Sequence, residues 1–395
     1  HSITPSLHHS ITPSLHHSNS PAAVPAPASS WLIRISNTFE EAAPDIVHLL
    51  NTPTCTHLGE EYFLIRPADP AALRLPEIAR FVRWNLPVHH NWPCCPRDME
   101  GFVEKAAQAL ARKFGAYHPQ NLLVGLLSPG ARDSYYKKLA SNLRGRALQL
   151  FPPPAQPRPD VEAQDPDAAT LFCLLGKEGL FCGMQSPMLS NGFYPGGTKF
   201  ISRNAATTIS RAGAKLAEAL HYLRLHRPAP PAPSHWLELG ASPGGMTSEL
   251  LTRGYRVTAV DRAPLDARLD SSSDLTFICG DAATFTPQSG TRYDAILSDM
   301  NGEARNAIEA VLRLTKHLQP GGLVIFTLKT AGVDTLAGIQ RLCASVIGCA
   351  AAGGLRLLAQ THLTYNRHEF TLFFEAATTS HSNPRSATCS PSQPK

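Results

Sequence analysis

Lys329 stands next to last in the run GGLVIFTLKT (residues 321–330), where an ammonium follows apolar residues that read as a buried strand. An amine in that place has two uses. Its stem packs at a sheet end while the head snorkels to water, or it stands over a crevice and handles a proton. Acids recur at comparable points: Asp261 ends YRVTAVD, Asp281 follows LTFICG, and Asp299 follows YDAILS. Taken singly, each is a helix N-cap or a loop residue. The loop LGASPGGMT (239–247) supplies Gly244 and Gly245, which let a ligand approach the backbone, ahead of a helix N-terminus with unpaired N–H groups. It is neither GxGxxG nor GxxxxGK[ST], so pyrophosphate binding in either usual manner is disfavoured. Two more charges stand apart: Lys215 within ISRAGAKLAEALHYL and Glu369 at the start of EFTLFFEA. By themselves these are a solvated helix lysine and an edge-strand surface charge.

The elements that must position these groups are legible in the second half of the chain. HWLELG, YRVTAVD, LTFICGD, YDAILSDM and GLVIFTLK are short β-rich runs separated by segments at helical spacing, such as GMTSELLTRG and ARNAIEAVLRLTKHLQ. Their apolar residues are continuous rather than alternating, which predicts strands buried on both faces in a parallel sheet covered by helices. Open sheets of this kind bind ligands at the carboxyl ends of the strands, so the glycine loop and the three acids converge on one crevice. An acid after the second strand commonly takes ribose hydroxyls, which suits an adenosine-containing cofactor. In the simplest winding the fifth strand neighbours the fourth, and Lys329 lies near Asp299. LRLLAQTHL and HEFTLFFEA, joined without a helix, predict an antiparallel hairpin at or near one sheet edge.

The 395 residues, 43% hydrophobic and 17% charged, suit two or three globular domains. A net charge of +5 permits an acidic partner such as RNA without arguing for one. No apolar run approaches the roughly 20 residues that span a bilayer, and no leader pattern is seen, so a cytoplasmic protein with no membrane partner is the expectation. Nine cysteines without CxxC spacing read as reduced structural thiols. Residues 1–16 are two copies of HSITPSLH, and 1–30 and 377–395 read as disordered tails; with His1 first, a fragment or a misassigned start is the expectation. Residues 31–150 read as a small α+β domain, the Pro-rich stretch 151–170 as a linker, and 171–376 as the domain carrying the crevice. Lys137, Lys138, Arg144 and Arg146, with Tyr135 or Tyr136 available to stack on bases, make a basic run that is either an RNA face or a solvated helix. His89, His90, Cys94 and Cys95 are adjacent pairs rather than spaced ligands, so no zinc is expected there.

Together, the order Lys215, GASPGG, Asp299, Lys329 in TLK and Glu369 resembles the Lys-Asp-Lys-Glu tetrad of the FtsJ-like ribose 2′-O-methyltransferases, which use S-adenosylmethionine. The likeness covers about the last half of the chain, from Ser210 onward. SRAGAKLAEA, VDRAPL, GDAATFTP, SDM and LTYNRHEFT are similar to the bacterial members that methylate a cytidine of large-subunit rRNA. This resemblance implies a Rossmann-like α/β methyltransferase domain, its mostly parallel sheet ending in an antiparallel strand, behind a small α+β THUMP-like domain for RNA. It implies that Lys329 accepts the 2′-hydroxyl proton, supported by Lys215, Asp299 and Glu369. It also implies that Ser210, Gly240, Ser242, Pro243, Gly244 and Gly245 contact the cofactor, that Asp261 holds its ribose and Asp281 its adenine amino group, and that Asp299 lies beside its methionine end. No metal is needed, and the implied partner is 23S rRNA or a pre-ribosomal large subunit, met as a monomer. Two departures stand out: Met246 replaces a common aromatic residue, and the N-terminal half matches faintly.

The chemistry asks for a proton acceptor, since a ribose hydroxyl is a poor nucleophile. A lysine serves only where its pKa falls from about 10.4, by desolvation or a nearby like charge such as Lys215 beside Lys329. A lysine that stays charged instead orients the hydroxyl, and positioning carries the rate. The same tetrad would serve tRNA or another RNA. A silent RNA-binding assembly factor would have no need of it, and a dehydrogenase is disfavoured by the glycine spacing.

Overall fold

The computed structural model describes residues 25–94, 97–128, 134–152, 164–197 and 208–377. Most of both expected tails, the centre of the expected linker and Cys95 lie outside the described residues.

The chain opens with an antiparallel sheet of β1 (Trp31–Ile35), β2 (Cys55–Gly59), β3 (Tyr62–Ile65) and β4 (Val82–Pro87), in the order β2-β3-β1-β4. Two short helices, α1 (Ala43–Leu49) and α2 (Pro76–Ala79), complete it. A second sheet has the order β5-β8-β7-β6, from β5 (His90–Trp92), β6 (Asn121–Leu126), β7 (Thr170–Gly176) and β8 (Gly179–Gln185). Its helices α3 (Met99–Phe114) and α4 (Ser134–Leu150) bury Val103, Leu110, Leu139 and Leu143 against Leu171, Cys173 and Leu175.

That second sheet corrects the expected domain boundary. Residues from 171 on were expected to begin the crevice domain, but β7 runs parallel to β6 and antiparallel to β8, which in turn pairs with β5. The strands after the Pro-rich stretch therefore complete the N-terminal half. One face of these strands, with Leu171, Cys173 and Leu175, is covered by α3 and α4, which precede that stretch, and the other, with Phe172, Leu174 and Phe181, packs on Leu32, Trp84 and Leu86 of the first sheet.

After α5 (Pro187–Ser190) and α6 (Arg211–Leu223) comes the large sheet: β9 (His235–Leu239), β10 (Arg256–Asp261), β11 (Leu275–Cys279), β12 (Tyr293–Ser298), β13 (Leu318–Lys329), β14 (Leu355–Thr361) and β15 (Glu369–Ala376). Its order is β11-β10-β9-β12-β13-β15-β14, with helices α7 (Gly245–Thr252), α8 (Ala304–Leu314) and α9 (Leu336–Ala352) between strands. β9 to β13 are parallel, and β15 is antiparallel to both β13 and β14. Every expected strand of this half is present, and the fifth lies beside the fourth. The central strands β9, β12 and β13 are buried on both faces, as their continuous apolar runs require.

One hydrophobic core joins the first sheet to the large one. Ile33, Phe39, Ile78 and Phe81 belong to the same cluster as Ile308, Phe326, Ile339 and Phe370. Phe39 stacks on Phe370 at 5.4 Å between ring centroids, and Phe81 meets the same ring edge-on. No helix among the described residues is long and apolar enough to cross a membrane.

Candidate active site

Four charged side chains from four elements meet at the carboxyl end of the large sheet. Asp299 follows β12, and its N–H donates to the carbonyl of Leu239 at the end of β9. Lys329 ends β13 directly opposite Glu369, which begins β15. Lys215 arrives from α6, a helix buried on all sides from Ala214 to Leu223 and started by Ser210, whose hydroxyl accepts the Ala212 N–H. Lys215, only 7% exposed, is thus no solvated helix lysine.

Its ammonium donates to Asp299 Oδ2 at 2.9 Å and to Glu369 Oε1 at 3.0 Å. A buried cation survives because two carboxylates meet it. Lys329 is held differently. Its Nζ donates to Asn301 Oδ1 at 2.7 Å and to the Asp299 carbonyl at 3.3 Å. It lies 3.5 Å from Asp299 Oδ1, an ion-pair distance without hydrogen-bond alignment. Asp299 therefore stands between the two lysines, while Glu369 engages Lys215 rather than Lys329. Asn301, which places a neutral amide on the Lys329 amine, was not anticipated. The only signal for it was its position two residues after the acid that ends a strand.

Beside the tetrad lies an open crevice of about 520 Å³, lined by Gly240, Ser242, Asp261, Asp281, Asp299 and Lys329 among others. Gly240 has φ +80°, and a Cβ there would sit 3.0 Å from the Met300 backbone, so only glycine lets the loop pass. Asp261 braces the loop by accepting the N–H of Ser242 at 2.9 Å and of Ala263 at 2.8 Å. Asp281 accepts the Ala283 N–H and pairs with the exposed Arg262, whose hydrogen bond holds its carboxyl below the usual carboxylate range. Pro243, Gly244 and Gly245 are not among the residues that line the crevice; Gly244 precedes α7, and a Cβ on Gly245 would run into Ser210 Oγ. Ser210 and the loop are thus adjacent.

These residues fit an adenosine-containing cationic cofactor. The crevice has carboxylates at two strand ends and a glycine cradle, and Asp299 Oδ1 is a buried acceptor that receives no hydrogen bond.

Below the loop, Glu238 on β9 is fully enclosed and accepts the Thr247 hydroxyl at 2.7 Å. Burial, with Asp299 and Asp261 nearby, pushes its carboxyl up to about 8. A carboxyl raised in the folded state contributes stability that is complete below its ordinary pKa of about 4.5 and is lost as pH rises toward 8. Glu238→Gln is expected to remove this slope, worth about 3 kcal/mol between pH 5 and 8. Thermal midpoints of both proteins across that range check it, and parallel curves would refute it.

The expected basic face is smaller than its sequence suggests. Arg146 is engaged by Glu104 of α3 through two hydrogen bonds of 2.7 and 3.1 Å, so it ties the helix pair together. Tyr135 and Tyr136 pack edge-to-face at 5.4 Å, half-buried against the core under α4. Lys137 and Lys138 are exposed, and Arg144 is partly so. His89 accepts the Met184 N–H and His90 packs on Trp92, which engages both in the second sheet.

Residues 208–339 match the model of the FtsJ-like methyltransferase family. The ribosomal RNA large subunit methyltransferase M of Halorhodospira halophila is 38% identical over 91 residues, covering 23% of this chain and 26% of that protein. Its namesake in Aromatoleum aromaticum is 31% identical over 165 residues, covering 41% and 44%. The chain therefore spans less than half the length of these relatives. Among solved structures, the Methanococcus jannaschii fibrillarin pre-rRNA processing protein aligns at 17% identity and a TM-score of 0.33, over 56% of this chain and 85% of that one.

Proposed function

We propose, from the premise that residues 208–339 form an FtsJ-like methyltransferase domain, that the protein methylates a ribose 2′-hydroxyl of large-subunit rRNA. The observation that carries this reading is the tetrad: two lysines joined through Asp299, with Glu369 on one of them, at the mouth of the crevice. S-adenosylmethionine would supply an electrophilic methyl group here. Asp261 and Asp281 would hold its nucleoside, the Ser242–Gly245 loop and Ser210 would shape the site, and Asp299 would serve its methionine end.

The chain's own part is to deliver the hydroxyl and take its proton. Lys215, gripped by two carboxylates, is the structural cation that keeps Asp299 and Glu369 in place. Lys329, the most exposed side chain of the four at 21%, touches one carboxylate and a neutral amide, and is the amine that meets the incoming hydroxyl. As the neutral amine it would accept the hydroxyl proton while the ribose oxygen takes the methyl group and the sulfur–methyl bond breaks, releasing the thioether. Fixing the hydroxyl in line with the methyl adds an entropic gain. Lys137 and Lys138 are offered to the RNA backbone by the N-terminal half, for which we propose the THUMP-like role. The protein acts in the cytoplasm as a monomer, on a cytidine of 23S rRNA.

Transfer of labelled methyl to total RNA, naked 23S rRNA and assembled subunits, followed by mapping, tests this. Label in 23S rRNA as a 2′-O-methyl group is expected. Label in tRNA alone would redirect the substrate, and none in any RNA would leave an RNA-binding assembly factor.

A further inference from the structure

We propose that Arg83, on the N-terminal sheet, is a positioning residue of the methyl-transfer site: it grips the turn between β14 and β15 from one side while Glu218 of α6 grips it from the other. The inference rests on the proposed function and adds that the first sheet is part of the catalytic machinery.

Arg83 is 5% exposed. Its Nε donates to the His362 carbonyl and its Nη2 to the Leu363 carbonyl, each at 2.9 Å, and Nη2 also meets His362 Nδ1 at 2.9 Å. For Nδ1 to accept, the ring proton must sit on Nε2, which lies 2.8 Å from the Arg367 carbonyl and donates to it. One guanidinium thus selects the His362 tautomer, and that tautomer closes the turn on itself. Burial and Arg83 push the ring down to about 3, so it stays neutral.

From the other side, both carboxylate oxygens of Glu218 accept the Thr364 N–H at 3.0 Å, and Oε1 accepts the Thr364 hydroxyl at 2.7 Å. Glu218 is three residues, about one helical turn, beyond Lys215 on a buried helix. The turn then delivers Glu369 directly: the His368 carbonyl accepts from Thr330, and Asn366 donates to the Glu369 carbonyl. Glu369 grips Lys215 in its turn. A closed path therefore runs from Arg83 through the turn to Glu369 and Lys215, and back along α6 through Glu218.

Burying a guanidinium is a costly way to gain stability, since apolar residues of similar volume usually do as well. Its planar fork does something they cannot, which is to fix two carbonyls and a ring nitrogen in one geometry. Glu61 lies 3.9 Å from the Arg83 guanidinium and accepts from Arg34 Nε at 2.7 Å, so the buried cation has a counter-charge nearby.

The test uses the full chain and the Arg83→Met, Arg83→Lys and Thr364→Val variants. Arg83→Met is expected to lower kcat about ten- to a hundredfold, as misplacement of a reacting group does, with KM for RNA and cofactor affinity unchanged. Arg83→Lys should recover part of the loss, and Thr364→Val, which removes one bond at an exposed residue, should show a smaller fall. Amide exchange should speed up across 362–369 in Arg83→Met and not across 240–250. An unchanged kcat, a loss that tracks the folded fraction, or exchange raised uniformly would overturn the inference. If the unmodified chain transfers no methyl group to any RNA, the proposed function fails, and the exchange pattern alone decides this one.

Discussion

Lys329→Ala is expected to bind S-adenosylmethionine as the unmodified chain does and to lose methyl transfer by about 10²- to 10⁴-fold, the range spanned by general-base groups. The two effects separate because the crevice is lined mainly by backbone and acids of the strand ends, which the truncation leaves in place. Its cost in stability should be small, under about 1 kcal/mol, because the side chain is partly exposed and its ion pair is long. Lys329→Arg divides the two roles open to this amine. A guanidinium can orient a hydroxyl but cannot accept its proton at neutral pH. Single-turnover rates with calorimetric cofactor affinities check all of this. Transfer near the unmodified rate in Lys329→Ala would remove the lysine from the base role, and recovery in Lys329→Arg would assign it to orientation.

Lys215→Met should be the more damaging change to the fold. Breaking a buried ion pair by removing one partner costs about 3–5 kcal/mol. Here one cation serves two carboxylates, each 17% exposed, so water relieves part of the penalty. We expect a loss of about 2–3 kcal/mol, which lowers the thermal midpoint by roughly 3–5 °C, together with loss of transfer. The methionine fills the volume, so the loss reports charge rather than a cavity. A midpoint within about 2 °C of the unmodified chain would mean that Asp299 and Glu369 do not depend on this cation. The contrast with Lys329→Ala matters most: two lysines on one aspartate are expected to divide structure and chemistry between them.

The strands of the large sheet were legible because burial on both faces writes itself as unbroken apolar runs, as in LVIFTL. Lys329 and Asp299 could be placed beside each other because their strands are neighbours in the simplest winding. Lys215 could not. Its helix is polar enough in sequence to pass for a surface helix, and only packing against the large sheet and the turn before Glu369 makes it a buried one. The boundary near residue 170 was misread for a similar reason: the partners of β7 and β8, β6 and β5, lie across the Pro-rich stretch, and strand pairing is not written in either segment alone. Arg146 and Asn301 show the limit for side chains. Composition names a cation or an amide, and only geometry says that one is spent on Glu104 while the other is spent on Lys329.

The pairing of β13 with β15 has a consequence of its own. Because the two strands run in opposite directions, the chain leaves Lys329, builds α9 and β14, and returns to Glu369 at the point it left. The whole excursion is a closed detour, and the distance between its ends is set by a backbone ladder rather than by its length. Residues added or lost at the exposed bend around Gly353 and Gly354 would reshape the far rim of the molecule without moving either charge. In such a layout the outer edge is free to drift over evolutionary time while the gauge of the site stays constant.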